Sequence, residues 1–174
     1  MAPLPIITAP DPRLKVVSAP VETVDAAVRR LMDDMLETMY EEPGIGLSAI
    51  QVGVPKRIVV ADVTGVGEAP SPIRLVNPKI VWRSEELATY EEGCLSLPEH
   101  YAEVERPAAV KIQYLDENGR ARDLDAETIL ARCLQHELDH LDGILFVDHL
   151  TAVRRNIILR KLAKMKKTKL RESA

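Results

Sequence analysis

The chain has 174 residues, 46% hydrophobic, 29% charged and only 3% aromatic, with a formal net charge of −4; it is long enough for one globular domain with an aliphatic core. No apolar run approaches the ~20 residues that cross a bilayer, and the start, Met1 to Ile7, has neither the basic-then-apolar order of a secretory signal nor the Arg-rich helix of a transit peptide, although a mature organellar form would look the same. With no export signal, Cys94 and Cys133 are expected as free thiols in a reducing cytosol, not as a disulfide.

The stretch to Pro20 holds five prolines and reads as extended chain. Between Glu22 and Glu42, Val24, Val28, Leu31, Met35 and Met39 recur at helical spacing and predict a long amphipathic helix, which Pro43-Gly44 ends. The next segment is Gly44-Ile45-Gly46-Leu47-Ser48-Ala49-Ile50-Gln51. Its Gly-x-Gly invites a nucleotide-binding reading, but Ala49 stands where the third glycine belongs, and the helix precedes the glycines where that motif needs it after them. A tight small-residue segment that lets backbone amides approach a ligand fits better, with Gln51 as an uncharged amide donor.

Arg57 to Val63 is a β-branched run and reads as a strand, followed by a Gly- and Pro-rich loop from Thr64 to Pro72. Ile73 to Arg83 and Glu103 to Leu115 read as further strands. Glu117-Asn118-Gly119 has hairpin-turn chemistry, with Arg120 to Leu124 as the returning strand. A second helix is predicted over Ala126–Leu141, with Ile129, Leu130, Cys133, Leu134, Leu138 and Leu141 as its apolar stripe and Gly143 as its stop. A third, from Ala152 onward, combines Val153, Ile157, Ile158, Leu162 and Met165 with many basic residues. Residues 151–174 carry nine Lys or Arg and one Glu, against a net of −12 on the remaining 150. A basic tail on an acidic body suits a polyanionic partner; a solvated helix face is the plainer alternative. Strands in succession around one buried helix indicate an α+β fold.

The chemistry concentrates in Gln135-His136-Glu137-Leu138-Asp139-His140. His-Glu-x-x-His puts two imidazoles one helical turn apart on one face, with a carboxylate beside them. Glu137 is the expected general base of a metal site. The third ligand must come from elsewhere, and Cys94, Cys133, His100, His149 and several acids are open. Cys133 lies in the apolar stripe, His100 is expected at the surface, and His149 follows the helix closely. Cys94 lies beside Gly93, which permits close backbone approach, and reads equally as a ligand or as a buried structural cysteine. Three protein ligands with one open position describe a catalytic metal site.

Taken together, Gly44 to Gln51, Glu92-Gly93-Cys94-Leu95-Ser96 and Gln135 to His140 resemble the three signature motifs of the peptide deformylase family, in order and approximate spacing. Pro10-Asp11-Pro12-Arg13-Leu14, Gln51-Val52-Gly53, Asn77-Pro78 and Asp142-Gly143-x-Leu145-Phe146 extend the resemblance over roughly residues 4–165. It implies antiparallel sheets around a central metal-binding helix, as one catalytic domain over residues 1–174 with a basic C-terminal helix at 152–170. It also implies hydrolysis of the N-formyl group from the initiator methionine of new polypeptides, releasing formate. Cys94, His136 and His140 would hold one divalent ion, Fe2+ as the native one, with Zn2+, Ni2+ or Co2+ able to substitute. Glu137 would shuttle the proton, and Gln51 with the Leu95 backbone N–H would stabilise the oxyanion. Gly44, Ile45, Gly46, Ile129 and Cys133 would line the methionine slot. The implied partners are formyl-Met nascent peptides and, through the basic helix, the ribosome, in a bacterial cytoplasm; neither membrane nor direct DNA binding is expected. Ser48 departs from the family's usual Ala, so its hydroxyl must find a partner if buried. Asp139 is a candidate partner for Arg106, with a solvated helix aspartate as the alternative. A second reading is a His-Glu-x-x-His metallopeptidase cleaving internal peptide bonds, and a third a non-catalytic ribosome-associated protein with a structural metal.

Overall fold

The computed structural model describes residues 3–173. In chain order the regular elements are α1 (Ala26–Glu41), β1 (Gly46–Ser48), β2 (Ile58–Ala61), β3 (Ile73–Arg83), β4 (Leu87–Cys94), β5 (Leu97–Pro107), β6 (Ala109–Leu115), β7 (Ala121–Glu127), α2 (Thr128–Leu141) and α3 (Ala152–Glu172). The strands form two antiparallel sheets, a five-stranded one in the order β1-β2-β3-β6-β7 and a two-stranded β4-β5 ribbon. This is the expected α+β arrangement.

The five-stranded sheet lies between two helices, and β2 shows why. Successive strand residues point to opposite faces. Ile58 and Val60 pack with Met32, Met35 and Met39 of α1, while Val59 and Ala61 pack with Leu134, Leu138 and Leu141 of α2. A strand covered on both faces needs an unbroken apolar run, and Ile58-Val59-Val60-Ala61 supplies it. Asp25 caps α1 by accepting from the Val28 N–H. Of the predicted α1 stripe, Val28, Met35 and Met39 are buried, but Met32 and Leu36 are buried too, while Val24 and Leu31 are only half-buried. A third cluster joins Leu14, Leu97, Val104, Phe146 and Val147 to Leu162 of α3.

Several boundaries differ from the sequence reading. The segment predicted as one strand over Glu103–Leu115 is two strands in different sheets, with the change at Ala108: its N–H donates to Glu86 O (2.9 Å), while Ala109 N–H turns to Ser84 Oγ (3.0 Å). Pro107 has no N–H to continue a ladder. In β5, Ala102, Val104 and Arg106 are buried and Glu103 and Glu105 exposed, a regular alternation. β4, with its run of polar and small residues, and the short β1 were not anticipated. The predicted start of the second helix at Ala126 is also early, because Ala126 pairs with Val110 in the sheet and the helix begins at Thr128. Over residues 3–20 the proline-rich start forms no α-helix or named strand; it holds a turn at Ala9-Pro10 and a 3-10 turn at Pro12–Lys15. No described helix is long and apolar enough to cross a membrane.

Candidate metal centre

The end of β4 faces one side of α2. β4 and β5 pair in register down to Gly93–Tyr101, then jump to Cys94–Leu97. This irregularity turns Cys94 towards the helix. Cys94 Sγ lies 3.3 Å from His140 Nε2, which lies 3.2 Å from His136 Nε2. The three donor atoms all fall within 4.8 Å of one another. Ligands held 2.0–2.3 Å from a tetrahedral ion sit roughly 3.4 Å apart, so the 3.3 and 3.2 Å separations match two edges of such a site. One thiolate and two imidazoles suit a borderline divalent ion. The other candidates for the third ligand lie elsewhere. Cys133 contacts Ile45 O (3.5 Å), and burial, with the Glu137 charge, pushes its thiol well up. His149 pairs with Asp139 (2.8 Å). His100, expected at the surface, is half-buried and lines the neighbouring cleft.

A buried ionic chain orients the pair. His136 Nδ1–H donates to Glu92 Oε1 (3.0 Å), which assigns the lone pair to Nε2. Arg106 holds Glu92 through two bonds, Nε to Oε2 (2.6 Å) and Nη2 to Oε1 (2.9 Å), and reaches Asp139 through Nη1 (2.9 Å). Burial alone would raise the Glu92 carboxyl, but His136 and Arg106 hold it at about 2. The Asp139–Arg106 pair is as expected; the part of Glu92 and Ser96 in the site was not.

Glu137 is 4% exposed, its Oε2 meets no donor among the described residues, and burial pushes its carboxyl up to about 7. Such a carboxyl can take and return a proton near neutrality. Gln51 sits in the turn after β1. Its Oε1 accepts from Ser48 N–H (3.0 Å) and Ser48 Oγ–H (2.9 Å). Its Nε2 donates to Ser96 Oγ (3.0 Å) and approaches Cys94 Sγ to 3.6 Å. The Ser48 hydroxyl therefore has its partner. A cleft of about 420 Å³ opens beside these groups, lined by Gly44, Ile45, Gly46, Leu95 and Cys133 among others. Ile129 is 40% exposed and is not one of its walls; one helical turn before Arg132 and Cys133, it shares their face of α2.

Comparison with known proteins decides the family. The model of the polypeptide deformylase family matches residues 3–156. The chain belongs to that family. A peptide deformylase of Rhizobium meliloti (strain 1021) is 56% identical over 165 residues, covering 95% of each chain. The crystal structure of the peptide deformylase from Ehrlichia chaffeensis superposes with a TM-score of 0.92 at 43% identity, covering 97% of this chain and 99% of that one. The Ehrlichia enzyme with actinonin superposes at 0.90 and 44% identity, over 95% and 98% of the two chains. The activity follows: this deformylase is a metal-dependent hydrolase that removes the formyl group from N-terminal formylmethionine of new polypeptides and releases formate. The internal-cleavage metallopeptidase reading is set aside.

Proposed function

We propose that Cys94, His136 and His140 hold the deformylase's one divalent ion, and that Glu137, Gln51 and the Leu95 backbone N–H carry out the chemistry around it. The single observation that supports this most is the convergence of the Cys94 thiol on two imidazoles with a buried carboxyl alongside. When bound, the ion supplies Lewis acidity, which polarises the formyl oxygen and lets water ionise near neutral pH. Glu137 takes the proton released as water attacks and passes it to the departing amine nitrogen. The attacked carbon becomes tetrahedral and its oxygen gains charge. Gln51 Nε2–H and Leu95 N–H are donors for that charge, and donors aimed at the charged state lower the barrier more than they strengthen substrate binding. Gly44, Ile45, Gly46, Ile129 and Cys133 take the methionine side chain, whose flexible thioether suits a slot of mixed small and apolar residues. Formyl carries only hydrogen beside its carbonyl, so close walls exclude longer acyl groups.

Fe2+ is the native ion in this reading, with Zn2+, Ni2+ and Co2+ as substitutes; the mixed sulfur and nitrogen donor set accepts all four. Residues 1–174 form one catalytic domain, and the basic helix at 152–170 docks on a polyanionic surface, that of the ribosome. The enzyme works in the cytoplasm, where its substrates emerge and a reducing environment preserves the Cys94 thiolate; it has no membrane partner and no direct DNA contact. The test is formate release from a formyl-Met tripeptide by anaerobically purified protein, with metal analysis of the same sample. Glu137→Gln is expected to keep one ion per chain and lose about 10²–10⁴-fold in kcat. Normal metal content with normal turnover in that variant would overturn the mechanism.

A further inference from the structure

We propose that Ser48 is a positioning residue for Gln51, fixing which end of its amide faces the reacting oxygen; this rests on the oxyanion role given to Gln51 above. A glutamine amide presents either its oxygen or its NH₂, and the two orientations occupy nearly the same volume. Only the NH₂ can donate to a developing negative charge. In this chain the choice is made by Ser48. Its N–H and its hydroxyl both donate to Gln51 Oε1, at 3.0 and 2.9 Å. Flipping the amide would set its NH₂ against the Ser48 N–H, which can only donate, and would take from the hydroxyl the acceptor it now donates to. On the other side, Nε2 is engaged with Ser96 Oγ (3.0 Å) and lies 3.6 Å from Cys94 Sγ.

Ser48 and Gln51 are 0% and 1% exposed, so water does not replace a lost partner. Ser48 sits at the end of β1, paired with Val59 of β2, and its backbone is fixed by the sheet. The backbone N–H alone would leave the amide with one anchor on that side; the hydroxyl adds a second. The same hydroxyl also lies within hydrogen-bonding reach of the Glu137 carboxyl, which such a bond lowers; its one proton serves one acceptor at a time. Alanine, the residue this motif usually carries in the resembling family, fits the same backbone, so Ser48→Ala removes only the hydroxyl.

The experiment is a double-mutant cycle on metal-loaded enzyme with a formyl-Met tripeptide, using Ser48→Ala, Gln51→Ala and both together, with metal content measured for each. Ser48→Ala is expected to lower kcat about 3- to 10-fold, the effect of one ordinary hydrogen bond, with KM and metal content unchanged. With Gln51 already replaced, the same substitution is expected to change kcat by less than about twofold, since the group it orients is gone. An equal loss in both backgrounds, which is what action through Glu137 would give, overturns the proposal, as does no loss at all. Side-chain amide signals of Gln51 in the zinc-loaded, ¹⁵N-labelled protein provide a readout independent of turnover. Their exchange with solvent is expected to quicken in Ser48→Ala, and unchanged exchange overturns the proposal. If Gln51→Ala alone leaves kcat intact, the oxyanion role fails instead, and the amide signals still decide whether Ser48 holds the side chain.

Discussion

At the scale of single residues, the centre depends on groups that have no room to move. Gly46 is one. A Cβ added there would lie 2.7 Å from Cys133 Sγ and 2.9 Å from Glu137 Cγ and Oε1. Gly46→Ala is therefore expected to displace the Glu137 carboxyl and to cost about 1–3 kcal/mol of stability. Chemical denaturation and kcat measured together check this, and a stable variant with full turnover would contradict it. Cys94 sets another limit. A thiolate bound to ferrous iron offers oxygen an oxidisable pair, so iron-loaded enzyme is expected to lose activity in air well before nickel-loaded enzyme. Equal lifetimes in air would count against it. The motif residues themselves were legible in the sequence, because His136, Glu137 and His140 sit at helical spacing and Cys94 beside a glycine. The roles of Glu92 and Ser96 were not, because a carboxylate or hydroxyl becomes a partner only when β4 is laid against α2 and the turn after β1.

At the scale of elements, α1 is tied to the loop after β2 through one carboxylate. Tyr40 donates its hydroxyl to Asp62 Oδ2, Thr64 donates its N–H (3.0 Å) and hydroxyl (2.7 Å) to Oδ1, and Ser71 N–H reaches Oδ2 (3.0 Å). Burial pushes the Asp62 carboxyl up, but these donors together hold it below its ordinary value. A carboxyl with a lower pKa folded than unfolded stabilises the native state above the unfolded value of about 3.9, and that contribution is lost as pH falls through the folded value. Asp62→Asn is expected to lower Tm near pH 7, with the gap to the parent closing as pH drops below about 4. A gap constant from pH 7 to 3 would contradict the assignment. Element type was readable wherever periodicity was strong, as in the two predicted amphipathic helices and Ile73–Arg83. It was not readable in β4, where Glu91, Glu92 and Gly93 disguise a strand that exists because β5 pairs with it. Nor did the run from Glu103 to Leu115 show its break, since both halves are strand-like and only sheet membership separates them.

At the scale of the whole molecule, α3 links charge to packing. Leu162 is buried against Leu14, Phe146 and Val147, with Ile158, Leu159 and Met165 packed beside it, while Lys161, Lys164 and Lys167 are exposed. Deleting the helix would uncover core, so the clean test of docking reverses those three lysines to glutamate. The variant is expected to keep full deformylase activity and Tm. It should lose co-sedimentation with ribosomes at low salt, whereas the parent's binding should fall steeply as salt rises. Unaltered co-sedimentation would show that the helix is not the docking surface. The sequence by itself determined the helices, most strands, the α+β class and the paired histidines, because each follows from local spacing and residue chemistry. It also carried three motifs specific enough to point to the family. Only the tertiary structure decided that Cys94 lies beside the pair while Cys133 and His149 do not, that Glu92 and Arg106 hold His136, and that Ser48 faces Gln51. These contacts join residues three to about forty-six positions apart, and apart from the single turn linking Ser48 to Gln51 and the Glu92–Arg106 pair within the β4-β5 ribbon, they are set by how the strands are laid against α2.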